Sequence, residues 1–125
     1  MNLQKLWWIL GVLLVVLVVV VCLLPGGDLP STPFNDKINH FISHCALAVW
    51  FAGLMPQRRW WKIFLGLLAL GIAIEVAQGL MHAGRESDPL DVAANSVGAA
   101  AGLAMAWLGL ARWPELVSRL LGRAA

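Results

Sequence analysis

Residues 6–24 form an unbroken apolar run, rich in Val and Leu, with no charged side chain. About 20 such residues, wound as a helix, match the hydrocarbon thickness of a bilayer. Lys5 before the run and Pro25-Gly26-Gly27 after it would also suit a secretory leader. The stretch is longer than the usual leader core of about 7–15 residues, and no small-x-small cleavage site follows it. Val21 stands where a small residue would precede a lipid-modified Cys22. The run is therefore expected to be a first membrane span.

Composition extends this reading to the whole chain. Of the 125 residues, 60% are hydrophobic and 13% charged, against about a quarter charged in an ordinary soluble domain. Too little charge is present to coat a water-facing surface. That excludes a soluble globular enzyme, a disordered tail and a nucleic-acid binder. At about 20 residues per crossing, the length allows four spans. They are expected at about 6–24, 37–54, 62–82 and 89–110. The second is opened by Pro33-Phe34-Asn35-Asp36, read as a turn, and the third follows the basic link Pro56-Gln57-Arg58-Arg59. The fourth starts at Asp88-Pro89, where Asp caps and Pro suits the first helical turn. Residues 113–123 are too short to span. They place Leu116, Val117, Leu120 and Leu121 on one face and read as an interfacial amphipathic helix. The expected fold is all-α: one membrane domain over residues 1–125, with four transmembrane helices and a short terminal amphipathic helix.

Basic residues set the orientation. Lys5, Arg58, Arg59, Lys62, Arg112, Arg119 and Arg123 fall on one side of this arrangement, and only Lys37 and Arg85 on the other. Trp7, Trp8, Trp50, Trp60, Trp61, Trp107 and Trp113 lie near the basic side, as interfacial anchors do. Both termini are thus expected in the cytoplasm and the protein in the cytoplasmic (inner) membrane. Acids run the other way. Asp28, Asp36, Glu75, Glu86, Asp88 and Asp91 gather in the outer half, leaving Glu115 inside.

Three spans carry polar stripes in their outer halves. Lys37, His40 and His44 recur at helical spacing, as do Glu75, Gln78 and His82, and Asp88, Asp91 and Asn95. At about 1.5 Å per residue, His44, Glu75 and Asn95 each lie roughly 10 Å deep. Polar groups at that depth are costly and should face the bundle interior. A structural role is open for several of them. Asp36 and Asp88 suit helix caps, Lys37 can snorkel, and Gln78 and Asn95 can tie helices together. Glu75 resists that reading, because a carboxylate within an apolar span needs a neutralising partner. Arg85, His40 and His44 are the candidates. His40 and His44 also have the spacing of two metal ligands on one helix face. No local motif supplies the rest of a metal set, so no metal or other cofactor is expected. Ser43 and Ser87 have no nucleophile signature and read as packing and loop residues.

Gly98 and Gly102, backed by Ala94 and Ala101, form a small-residue face for close helix packing. Packing within the bundle is the first expectation, and a homodimer the alternative use of that face. Cys22 and Cys45 lie at different depths, which disfavours a disulfide.

The order Asp36-Lys37-x-x-His40-Phe41, Glu75-x-x-Gln78, Arg85, Asp91-x-x-x-Asn95-x-x-Gly98 and Gly102 resembles the VanZ-like family of small membrane proteins. The resemblance covers residues 35–102, with the first span similar only in character. It implies a bundle of about four spans in the cytoplasmic membrane, without an established reaction, and an envelope protein. The namesake is associated with low-level resistance to the glycopeptide teicoplanin. The matching positions are Asp36, Lys37, His40, Glu75, Gln78, Arg85, Asp91 and Asn95. At His44 the family pattern often has an aromatic, so this chain adds a titratable group there.

Three functions compete. In the first, Lys37, His40 and Arg85 hold an anionic, lipid-linked envelope headgroup, Glu75 and Asp91 orient them, and Gln78 and Asn95 fix the geometry. In the second, the chain is an intramembrane hydrolase or transferase with His40 as base and Glu75 or Asp91 as partner. In the third, the polar residues only lock the bundle and the protein serves assembly. Membrane lipid or a lipid-linked envelope precursor is the expected partner, and nucleic acid is not. A transporter is disfavoured for a monomer, because four short spans show no repeat pair.

Overall fold

The computed structural model describes residues 2–24, 33–82 and 87–122, all in helices, short turns and caps. Helix α1 spans Leu3–Leu23, α2 Pro33–Ala52, α3 Trp60–Met81, α4 Pro89–Trp107 and α5 Trp113–Leu120. Asn2 caps α1 by accepting from the Lys5 N–H at 2.9 Å. Single 3-10 turns at Gln57–Arg59 and Leu110–Arg112 lead into α3 and α5.

The segment expected as a turn before the second span is instead the first turn of α2, which begins at Pro33. Proline suits that position because the first helical N–H groups need no intrahelical partner. Asp36 then sits in the first turn, where a carboxylate favours the positive end of the helix dipole. At the other boundaries the differences are small. His82, in the left-handed conformation with φ 48°, closes α3. Gly109, with φ 131°, ends α4 at Trp107, three residues before the expected limit. There the chain turns by 73° into α5. The apolar face of α5 points away from the bundle, with Leu116, Leu120 and Leu121 exposed.

Helices α2 and α4 run parallel and pack most intimately, because Gly98 and Gly102 let the backbones approach. A Cβ at Gly98 would collide with the Phe41 carbonyl, and one at Gly102 with the Cys45 carbonyl. The small-residue face is therefore used inside the bundle. Helix α3 lies antiparallel to both and closes a narrow core of Leu47, Ala48, Ala52, Ile63, Leu67, Ala99 and Ala106. Helix α1 lies against α2 and α3 and exposes Ile9, Val12, Leu13, Val16, Leu17, Val20 and Val21.

One end of the bundle is tied by tryptophans. Trp7 lies edge-on to Trp50 and to Trp113, with centroids 6.2 and 5.2 Å away, and Trp50 and Trp113 are 4.5 Å apart. Trp50 Nε1 donates to the Trp7 carbonyl at 3.2 Å, and Trp113 Nε1 to the Trp50 carbonyl at 3.3 Å. The start of α1, the end of α2 and the start of α5 thus meet at one level. Cys22 and Cys45 form no disulfide.

By length and composition, α1 and the stretch Gln57–Met81 can each cross a membrane, and α4 with α5 qualifies only as a bent pair. Among the described residues that gives two spans, or three with the bent pair, against the four expected. Helix α2 falls short because hydropathy averages over its whole circumference. Its polar side chains His40 and His44 are buried, while Ile38 and Ile42 face outward.

Candidate functional site

At the end opposite the tryptophans, α2 begins, α3 ends and α4 begins. The three polar stripes converge there. Lys37 Nζ donates to Asp88 Oδ2 at 2.9 Å and to Asp91 Oδ1 at 3.1 Å, joining α2 to α4. Asp88 has two further roles. Its Oδ1 accepts from the Leu90 N–H at 2.9 Å, capping α4, and its own N–H donates to Glu75 Oε2 at 2.9 Å. The Lys37 ammonium, and after it the Leu90 N–H, hold the Asp88 carboxyl below the usual carboxylate range.

Below this mouth lies a closed floor. The side chains of Asp36, Lys37 and Asp88 are 36%, 35% and 39% exposed, whereas His40 is 1% exposed. Asp91, Glu75 and Asn95 are buried with it. His40 Nδ1 and Asn95 Oδ1 are 3.0 Å apart. With the amide oxygen as acceptor, Nδ1 carries a proton, and in the neutral ring Nε2 then presents its lone pair. Nε2 faces three carboxylates: Asp91 Oδ2 at 3.7 Å, Asp36 Oδ2 at 3.9 Å and Glu75 Oε1 at 3.9 Å. These separations exceed hydrogen-bond range.

Four buried polar atoms make no hydrogen bond to the described residues: His40 Nε2, His44 Nε2, Glu75 Oε1 and Asn95 Nδ2. Leaving such an atom unpaired costs about 1–3 kcal/mol. Such atoms are rare in folded proteins, and here four occur in or just below one floor.

The remaining expected residues are placed around it. His44 lies one turn deeper on α2 than His40, with Ser43 Oγ 3.4 Å from its Nδ1. Ser43 also donates to the His40 carbonyl at 3.0 Å. Gln78 turns to α1, where Nε2 donates to the Cys22 carbonyl at 2.7 Å. Gly98 and Gly102 set the α2–α4 approach. Arg85 lies outside the described residues. Lys37, expected to be available to an anion, is engaged by two carboxylates.

Asp88, expected in the polar stripe and as a cap, also binds Lys37 and holds Glu75 through its N–H. One participant escaped the sequence reading. Gly71 packs directly on Asn95, such that a Cβ there would come within 2.7 Å of Asn95 Nδ2. Its signal was a small residue one turn before Glu75 on the same face.

A family model described as VanZ/LLP1 matches residues 6–111, which include the whole polar centre. The chain belongs to the VanZ/LLP1 family. Family membership and the long apolar helices make it a membrane protein. No curated protein and no solved structure matches this VanZ/LLP1 chain.

Proposed function

We propose that this protein crosses the cytoplasmic membrane four times, with both termini cytoplasmic, and binds or helps to modify the anionic headgroup of a lipid-linked envelope component. The polar centre opens on the outer side. The observation that carries this reading is a polar cluster with partly exposed outer side chains and buried inner ones, set where three helix ends meet in an otherwise apolar bundle. A span that turns its polar residues inward supports counting α2 as the fourth crossing. The basic residues at the tryptophan end support the orientation.

An incoming anion competes with the partly exposed Asp88 for the Lys37 ammonium, and Arg85 supplies a second cation. Glu75 and Asp91 orient the pocket from below. Membership of a family whose namesake is associated with teicoplanin resistance supports an influence on glycopeptide susceptibility.

Lipid-resolved mass spectrometry of the gently purified protein tests the reading. A specific anionic headgroup should accompany wild type and fall several-fold in Arg85→Ala. Identical lipid profiles would remove it.

One observation favours a second reading, an intramembrane hydrolase or transferase. His40 is held by Asn95 with Nε2 turned toward Glu75 and Asp91, as a general base requires. Conversion of the accompanying lipid, rather than its retention, would select this alternative.

A further inference from the structure

Three side chains in the floor share one pattern. Asp91 gives Oδ1 to Lys37 and turns Oδ2 toward His40. Glu75 gives Oε2 to the Asp88 N–H and turns Oε1 the same way. His40 gives Nδ1 to Asn95 and presents Nε2. Each has one polar atom held by a partner, and the free oxygens of both acids lie near His40 Nε2. Asp36 Oδ2 approaches that nitrogen from the mouth.

We propose that Asp36, His40 and Asp91 bind one divalent transition-metal cation of the Mn2+ or Zn2+ type. Their candidate ligand atoms all lie within 4.8 Å of one another. The Asp36 and Asp91 oxygens lie 3.9 and 3.7 Å from Nε2, too far for hydrogen bonds. They match the spacing of two ligands around one ion, because bonds of about 2.0–2.4 Å in tetrahedral geometry put ligand atoms roughly 3.3–3.9 Å apart. His40 Nε2, which is buried, has no hydrogen-bond partner among the described residues. A ligating imidazole characteristically donates its other N–H to a fixed acceptor, the part played by Asn95 Oδ1.

Charge points the same way. Asp88 and Asp91 share the Lys37 ammonium, and the Glu75 carboxyl is buried beside Asp91, a crowding of acids that low-dielectric surroundings make expensive. Carboxylate oxygens and one imidazole nitrogen suit a borderline ion better than a thiolate-seeking one. No local metal motif marks the site because its ligands come from two helices, with only Asp36 and His40 close in the chain. A bound ion would also bring positive charge to an anionic headgroup, but the site stands on its own side chains and is tested without lipid.

The test is calorimetric titration of the full-length, EDTA-stripped protein in detergent, with Mn2+ and Zn2+ separately. One ion per chain should bind for at least one of the two metals. Asp91→Asn should weaken binding at least about tenfold, while Glu115→Gln, a carboxylate at the opposite end, should match wild type. Asp36→Asn, at the partly exposed mouth, gives the same reading if the buried variant fails to fold. Absence of stoichiometric binding of both ions would overturn the site. So would wild-type affinity in the folded ligand variants.

Discussion

Gly98→Leu should be the most damaging single substitution outside the polar centre. A side chain at this position must displace the Phe41 carbonyl, which is backbone and cannot rotate away. Helices α2 and α4 then separate where they lie closest. Overpacking usually costs about 1–3 kcal/mol and more when backbone must move, so a loss of about 3 kcal/mol or greater is expected. The same displacement carries His40 and Lys37 away from Asn95 and Asp91, so stability and site geometry fall together. Thermal unfolding in detergent measures the first part. Gly66→Ala is the control, because an added Cβ there meets nothing within 4 Å. A Gly98→Leu variant that melts like the Gly66→Ala variant would show that the small-residue face does not set the packing.

Asn95→Ala should have the next largest effect. Asn95 is fully buried and holds His40 Nδ1 at 3.0 Å. Its removal leaves an imidazole N–H without an acceptor and a void against Gly71. The unpaired group alone costs about 1–3 kcal/mol, and the void adds to it. Gln78→Ala provides the comparison. Gln78 makes one bond to the Cys22 carbonyl across α1 and α3, and interhelical polar bonds in membranes average about 0.6 kcal/mol. Melting temperatures should therefore fall further for Asn95→Ala than for Gln78→Ala. The reverse order would mean that His40 does not depend on Asn95.

These expectations separate what could be read from the chain from what could not. The three stripes at helical spacing were visible because a helix projects residues three and four apart onto one face. Their convergence followed from the cost of polar groups in an apolar span. Partner choice was not visible. Lys37 meets Asp88 and Asp91 across more than fifty residues, and nothing local distinguishes them from Glu75. His40 and His44 share a face in sequence, yet only His40 reaches the carboxylates, because one turn of α2 carries His44 past the ends of their side chains. Helix ends were legible where a cap or glycine marks them, as at Asp88. They were misread at Pro33, where proline and asparagine suit a turn and a first helical turn equally well. The proposed count of four spans rests on α2, whose inward polar side chains lower any average over the helix, and on α4, which qualifies only as a bent pair with α5.

The proposed function requires that the polar floor act on a ligand rather than merely hold the helices together. Glu75→Gln separates the two, since glutamine keeps an acceptor for the Asp88 N–H and nearly the same shape while removing the charge. Melting temperature and accompanying anionic lipid would be measured on the same purified sample. A melting temperature at or above that of wild type is expected, with the specific headgroup lost. A folded variant that retains the lipid at wild-type level, or loses it only in step with its stability, would show that the floor only holds the helices together.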